Sequence, residues 1–181
     1  MALPHAGTAG WTAADLASVP DDGNRYELMQ GVLLVSPMPR SVHQRANHRL
    51  VAVLNAAAPA GVEAYLPLDW QISEVELYAP DVMLVRNEDL TDRVLRVPPI
   101  LAAEVLSPSS RRLDQVAKRA AYADAGAEHY WLVDPDEPSV VALRLGHGAY
   151  VQVASTRGDD LFDVEDPIAV VFTPSSLVQP R

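Results

Sequence analysis

A glutamate inside an otherwise apolar segment limits the folds that this chain can adopt. Glu104 interrupts the apolar residues 100–106, and the only lysine of the chain, Lys118, follows fourteen positions later. The thirteen other basic residues are all arginines. A carboxylate in a buried strand is costly unless a cation meets it. The sequence therefore predicts a cationic partner for Glu104, and Lys118 is the candidate.

A second acid, Asp81, stands at the head of another apolar segment, residues 81–86. Side chains alternate along a strand, so Asp81 shares a face with Met83 and Val85, and Glu104 shares one with Leu106. If those faces coincide, the two carboxylates converge on adjacent strands. Oxygen ligands suit hard cations such as Mg²⁺ or Mn²⁺. Without a metal the two acids would repel, and one would take up a proton. The pattern indicates a divalent-metal hydrolase.

Composition excludes several other classes of protein. The chain has no cysteine, so neither disulfides nor thiolate metal sites are available. A net charge of −10 argues against nonspecific coating of nucleic acid. A local basic strip of Arg40, Arg45 and Arg49 is still compatible with that charge, and solvated helix faces are the alternative.

Residues 1–10 lack a basic start followed by an apolar stretch, and no apolar run is long enough to span a bilayer. We expect a cytoplasmic protein without a membrane partner.

The order of predicted elements indicates an α/β fold with a mixed sheet. We expect a single domain over residues 1–181, with its core at about 11–172. The predicted elements are a short helix at 12–20, two strands within 25–37 that turn at Gln30-Gly31, a helix from Ser41, strands at 62–72 (bent near Pro67), 81–86 and 100–106, a helix after Ser110, a strand at 128–134, a hairpin formed by 140–145 and 150–155, and a strand at 168–172.

The helix after Ser110 carries the lysine. Its predicted apolar face consists of Leu113, Val116, Ala117, Ala120 and Ala121, with Lys118 at the flank. From that flank a lysine can reach over the sheet toward Glu104. The alternative is a surface ion pair with Asp114, which lies one helical turn earlier.

Six short motifs occur in order along the chain, and together they resemble one known family. They are RYELMQG at 25–31, Ser36-Pro37 with His43-Gln44, PDV at 80–82, AEVLSP at 103–108, Asp114 with Lys118 and Tyr122, and YWLVDP at 130–135. On these motifs the segment from Trp11 to Phe172 is similar to the Uma family of restriction-endonuclease-like proteins, within the PD-(D/E)XK nuclease superfamily.

The resemblance implies a restriction-endonuclease-like αβββαβ core, with a mixed sheet flanked by helices and extra N-terminal and C-terminal β-hairpins. It implies that Asp81, Glu104 and the backbone carbonyl of Val105 bind Mg²⁺ or Mn²⁺. It also implies DNA as the substrate and a homodimer. The usual superfamily lysine lies two residues after the glutamate, where this chain has Leu106; the resemblance implies that Lys118 takes its place.

Two further residues match family positions, and each has a second interpretation. Glu27 matches an acidic position that binds metal through water; alternatively it is a strand-edge carboxylate beside Arg25. His43 matches a position near the phosphate or a water molecule bound to the site; alternatively it is solvated on a polar helix face. Tyr122 and Trp131 are expected to serve packing.

Two functions follow from these residues. We favour a metal-dependent endonuclease that hydrolyses phosphodiester bonds of DNA, with Asp81, Glu104, Lys118, Glu27 and His43 as its site. The alternative is a non-catalytic binding or assembly protein on a nuclease-like scaffold. The net negative charge of the chain and the absence of a lysine two residues after Glu104 favour that alternative.

Overall fold

The computed structural model describes residues 10–16, 18–91 and 94–180. The elements, in chain order, are α1 (Ala13–Leu16), β1 (Arg25–Met29), β2 (Val32–Ser36), α2 (Ser41–Ala57), β3 (Val62–Tyr65), β4 (Asp69–Gln71), β5 (Leu77–Tyr78), β6 (Val82–Arg86), a 3₁₀ turn (Asn87–Asp89), β7 (Leu90–Thr91), β8 (Val94–Leu95), β9 (Leu101–Val105), a π-helical segment (Leu113–Lys118), α3 (Arg119–Asp124), β10 (His129–Asp134), β11 (Ser139–Gly146), β12 (Ala149–Arg157), β13 (Phe162–Val164), β14 (Val170–Phe172) and α4 (Pro174–Val178).

The central sheet has the strand order β12-β11-β10-β9-β6-β3. Only β9 and β10 run parallel within it, and every other neighbouring pair is antiparallel. The α2 helix packs on one face through Ala46, Leu50 and Leu54. Tyr122 of α3 packs on the opposite face. The order α2, β3, β6, β9, α3, β10 is the expected αβββαβ core, so the predicted α/β fold class is confirmed.

A second sheet was not predicted. It has the order β2-β1-β5-β4-β8-β7 and includes the N-terminal hairpin. The predicted strand over 62–72 is in fact two strands in two different sheets, separated at Pro67. Proline has no N–H to donate to a strand ladder, so the chain leaves the central sheet there. The segment 87–99, between the predicted strands at 81–86 and 100–106, contributes β7 and β8, which were not predicted.

Both predicted hairpin turns have the expected backbone conformation. Gln30 and Gly31 have φ of 51° and 76°, and His147 and Gly148 have φ of 52° and 81°. Two central residues with positive φ match the right-handed twist of the flanking strands. These turns fix the register of β1 with β2 and of β11 with β12.

The buried face of the helical segment 111–124 differs from the prediction. Asp114, Lys118 and Tyr122 are buried, whereas Val116, expected on the apolar face, is 63 % exposed. The Tyr130 hydroxyl donates a hydrogen bond to the Asp114 carbonyl at 2.9 Å, within the π-helical turn. This face turns inward because its polar side chains meet partners inside the protein, which a hydrophobic pattern does not reveal.

Residues 1–9, 17, 92–93 and 181 of the predicted domain lie outside the described residues. Within the described ranges, no helix is both long and apolar enough to cross a membrane.

The buried face of the helical segment 111–124 can be tested with Val116→Ala, and Leu50→Ala on α2 provides the comparison in which a buried side chain is lost. Leu50→Ala removes a fully buried side chain between α2 and the central sheet, so we expect it to lower the free energy of unfolding by about 2–5 kcal/mol. Val116→Ala should change that free energy by less than about 0.5 kcal/mol, because the side chain is exposed. Urea denaturation measures both. A large loss for Val116→Ala would restore the face predicted from the sequence.

Candidate active site

The register of the central sheet brings Asp81 beside Glu104. β6 and β9 are antiparallel, with Val82 opposite Ala103. One step further in the same register, Asp81 faces Glu104. The Val105 N–H donates a hydrogen bond to Asp81 Oδ2 at 2.9 Å. The alternation of side chains along the two strands therefore places both acids on the same face of the sheet, as the sequence predicted.

Asp81 is held by two further groups from outside the sheet. Arg25 Nη1, on β1, lies 2.7 Å from Asp81 Oδ1, and His43 Nε2, on α2, lies 3.1 Å from Asp81 Oδ2. Burial alone would raise the pKa of Asp81, but the hydrogen bond from His43 and the charge of Arg25 outweigh it and hold that pKa well below its usual range. Asp81 is therefore an ionised carboxylate.

Lys118 reaches the glutamate from the helix. Its Nζ lies 3.0 Å from Glu104 Oε1 and 2.9 Å from Glu27 Oε1, and all three side chains are buried. Asp114 Oδ1 is 3.8 Å from the same nitrogen and is also buried, so the surface-pair alternative is wrong. Burial would lower the pKa of Lys118, but the surrounding carboxylates raise it above its usual value. The ammonium remains charged.

Glu104 experiences an excess of negative charge. Burial raises its pKa most; Lys118 lowers it, while Asp81, Asp114 and Glu27 raise it further, and the net result lies well above the usual value. The Tyr122 hydroxyl also donates to Glu104 Oε1, at 2.8 Å. Tyr122 was expected to serve packing alone; it packs against aromatic rings and also contacts the acid. The raised pKa favours the protonated form of Glu104 in the absence of a metal.

Glu27 and His43 both lie within the cluster. Glu27 Oε1 accepts a hydrogen bond from the Ala79 N–H at 2.9 Å, and Glu27 Oε2 is 3.9 Å from Arg25 Nε. Glu27 does contact Arg25, as its alternative held, but it is buried and not at a solvated strand edge. His43 is buried against Asp81, so the solvated alternative for it is wrong.

Three members of this cluster were not among the predicted site residues: Asn47, and also Arg25 and Asp114, which the sequence indicated only within the family motifs or as alternative ion-pair partners. Arg25 could have been found, because it is two residues before Glu27 and so shares its strand face. Asn47 follows His43 by one helical turn and is buried beside it on α2. Within the described ranges, Asn47 Oδ1 and Asp114 Oδ1 are buried without a hydrogen-bond partner. The hydrophobic pattern gave no signal for either.

A cleft of about 890 Å³ opens onto one side of the cluster. Arg25, His43 and Asp81 line it, whereas Glu27, Glu104 and Lys118 lie behind Asp81 and do not. Asp81 is thus the acid through which a bound molecule would reach the cluster.

The cluster fits a hard divalent cation by its charge. Four buried carboxylates (Glu27, Asp81, Glu104 and Asp114) surround two permanent cations (Arg25 and Lys118), which leaves two negative charges in excess. Among the described residues, no group of three or more acidic, histidine or cysteine side chains is poised around one metal position. Mg²⁺ needs only one or two carboxylates because it retains several waters. Two acids and a carbonyl are therefore a sufficient donor set.

The buried ion pairs can be tested by a double-mutant cycle. Lys118→Met should lower the free energy of unfolding by about 3–5 kcal/mol, because it leaves buried carboxylates without their cation. Adding Glu104→Gln should restore part of that loss. The exposed pair Arg144–Glu128, at 2.9 Å, is the control, and Arg144→Met should cost no more than about 1 kcal/mol. Strict additivity of the two site substitutions in urea denaturation would contradict the contact.

The raised pKa of Glu104 predicts a pH dependence in metal-free protein. The folded state retains a proton that the unfolded state releases above the usual value of 4.5. The stability contributed by this group is therefore lost as the pH rises from that value toward the folded pKa. The free energy of unfolding of Glu104→Gln, relative to the parent, should increase between about pH 5 and 8 in the presence of a chelator. A difference that does not change with pH would contradict the charge surplus.

Comparisons with known proteins agree with this architecture. A crystal structure of a protein from Anabaena variabilis, described as “a putative nuclease belonging to DUF820”, is similar to this chain with a TM-score of 0.75 and 19 % sequence identity. The similarity covers 92 % of this chain and 97 % of the other, and at this identity it shows a shared fold. Among curated proteins, none matches this chain.

The Uma2 family, described as “Putative restriction endonuclease”, matches residues 13–175. That span contains every residue of the cluster. The resemblance found in the sequence is thereby confirmed, and the chain belongs to the Uma2 family.

Proposed function

We propose that this chain is a metal-dependent endonuclease that hydrolyses phosphodiester bonds of DNA. The observation that carries the proposal is the pair Asp81 and Glu104, on adjacent antiparallel strands, within a cluster that has two more carboxylates than permanent cations. The family description and the fold shared with a protein described as a nuclease support it.

We propose Mg²⁺ or Mn²⁺ as the cofactor, held by the carboxylates of Asp81 and Glu104 and by the carbonyl of Val105. Such an ion polarises a phosphoryl oxygen and makes a bound water more acidic. The lowered pKa of Asp81 keeps this ligand ionised near neutral pH. A cation held here would offset the negative charge that raises the pKa of Glu104, so Glu104 would serve as an ionised ligand.

Lys118 has a positioning role in this scheme. Its Nζ sits between Glu104 and Glu27, within hydrogen-bond distance of both. Because its pKa is raised, it does not supply a free amine as a base. It fixes the orientation of Glu104 and contributes positive charge beside the two acids. Its place on the helix lets it reach Glu104, whereas Leu106 occupies the usual lysine position two residues after the glutamate.

Arg25 and His43 approach Asp81 from the cleft side. Arg25 is about a quarter exposed and donates to Asp81 and to the Ala79 carbonyl through a single nitrogen, Nη1. A guanidinium has five N–H donors, so others remain for a phosphate oxygen. His43 Nε2 meets Asp81 Oδ2 and orients that carboxylate. Both residues connect the buried acids to a substrate in the cleft.

The non-catalytic alternative has one observation in its favour: Arg25 and Lys118 already occupy oxygens of the two acids. Calorimetric titration of metal-free protein with Mn²⁺ separates the two functions. One-site binding that Asp81→Asn abolishes supports the nuclease, and no binding supports a scaffold protein.

The homodimer remains a prediction. It would depend on β12, which is an edge strand of the central sheet and has Val151 and Val153 exposed.

Asp81→Asn should abolish the proposed activity without unfolding the protein. The substitution keeps the side-chain shape but removes the charge that would bind the metal. A loss of several kcal/mol of transition-state stabilisation corresponds to at least about a hundredfold fall in rate. Cleavage of labelled oligonucleotides in Mg²⁺ or Mn²⁺ measures it, with circular dichroism as the check on folding.

Asp163→Asn is the matched control, since Asp163 is an exposed aspartate on β13. It should cleave at the parent rate. Equal activity of Asp81→Asn and Asp163→Asn would exclude Asp81 from the reaction and refute the proposal.

A further inference from the structure

The cleft above Asp81 has largely apolar walls. Six of its apolar lining residues are Leu16, Val19, Pro37, Met38, Leu66 and Pro108. Its charged lining residues are two arginines, Arg25 and Arg40, and three aspartates, Asp21, Asp69 and Asp81. Proteins bind the duplex backbone by neutralising phosphates with lysine and arginine. A cleft with more acids than permanent cations does not match a run of duplex phosphates.

The arginines near this cleft are engaged within the protein. Arg40 Nη2 lies 2.8 Å from Asp136 Oδ2. Arg45 donates to the Val178 carbonyl at 2.9 Å, and Arg49 donates to the Ser176 carbonyl. The basic strip considered from the sequence on α2 therefore contributes largely to holding the C-terminal segment in place. Arg45 and Arg49 do not line the cleft, and Arg40, which does, is paired with Asp136.

The burial of Asp81 also argues against intact duplex. The cleft has a volume of about 890 Å³, which corresponds to a cube about 10 Å on edge. Asp81 lines this cleft and is itself 2 % exposed. A phosphodiester held in a stiff double helix therefore has poorer access to Asp81 than one in a flexible single strand.

The cleft carries groups that suit the flat face of a base. Met38 is 70 % exposed, the highest value among the exposed large hydrophobic side chains of the described residues. A Cβ built on Gly23 would lie 3.9 Å from Met38 Cε, so Met38 extends over that glycine. The Tyr26 ring also lines the cleft, and its hydroxyl is fixed on Asp22 Oδ2 at 2.9 Å. Met38 lies among other apolar lining residues of the cleft; contiguous apolar surface marks ligand grooves, and aromatic rings stack with unpaired bases.

We infer that DNA enters this cleft as unpaired nucleotides, so that the protein cuts single strands or single-stranded tails in preference to intact duplex. This inference rests on the proposed function, because it takes Asp81 as the group that acts on the phosphodiester. Unpaired bases expose the faces that stacking buries in a duplex. Arg25 then contacts the phosphate at the floor, while Tyr26 and Met38 contact bases.

Three labelled oligonucleotides of one sequence test this: a single strand, a blunt duplex and a duplex with a single-stranded tail. In Mn²⁺ we expect the single strand and the tail to be cut at least about tenfold faster than paired DNA, a difference of about 1.4 kcal/mol in the barrier. Binding is measured in parallel by fluorescence anisotropy. The cleft has two arginines, so the slope of log K for binding against the logarithm of salt concentration should be no steeper than about −1.4 for the single strand.

Met38→Ser and Leu161→Ser form a matched pair, since Leu161 is 65 % exposed and does not line the cleft. Met38→Ser should weaken binding and cleavage of the single strand severalfold and leave Mn²⁺ affinity unchanged, whereas Leu161→Ser should alter neither. Equal or faster cutting of blunt duplex, tighter binding of duplex, or identical behaviour of the two variants would overturn the inference. Metal-dependent cutting of duplex alone would still leave the proposed nuclease function standing.

Discussion

A buried ammonium among buried carboxylates is the interaction on which the site depends. Lys118 meets Glu104 on the central sheet and Glu27 on the second sheet, at 3.0 and 2.9 Å. Each carboxylate would be costly to bury alone. A single cation bonded to both connects the two sheets and the helix that carries it. The polar face of that helix is therefore as much a part of the core as the apolar faces around it.

The two sheets have different tasks around this ion pair. The central sheet supplies Asp81 and Glu104 through the register of β6 with β9. The second sheet supplies Arg25 and Glu27 from β1. Arg25 contacts Asp81, and Glu27 contacts Lys118, which also contacts Glu104. The result is a group of acids that is only partly neutralised. Only Asp81 among them opens onto the cleft. The fold therefore leaves an excess of negative charge in the cluster beside the cleft, where a substrate can bind.

Much of the fold could be predicted from local patterns in the sequence. Strand alternation placed Asp81 and Glu104 on one face, and the turns at Gln30-Gly31 and His147-Gly148 fixed two hairpins. The second sheet could not be predicted in this way, because β5, β7 and β8 have two residues each and show no periodicity. The helix face of Lys118 was misassigned because its partners are distant in sequence. Arg25, by contrast, could have been found, because it shares a strand face with Glu27 on β1.

The proposed function requires that Asp81 and Glu104 bind one divalent metal together. Crystals soaked in Mn²⁺ provide the test, because anomalous scattering locates manganese independently of the protein atoms. We expect one strong anomalous peak in contact with both carboxylates and with the Val105 carbonyl. A soaked crystal with no such peak, and with Arg25 and Lys118 still bonded to the acids, would contradict it.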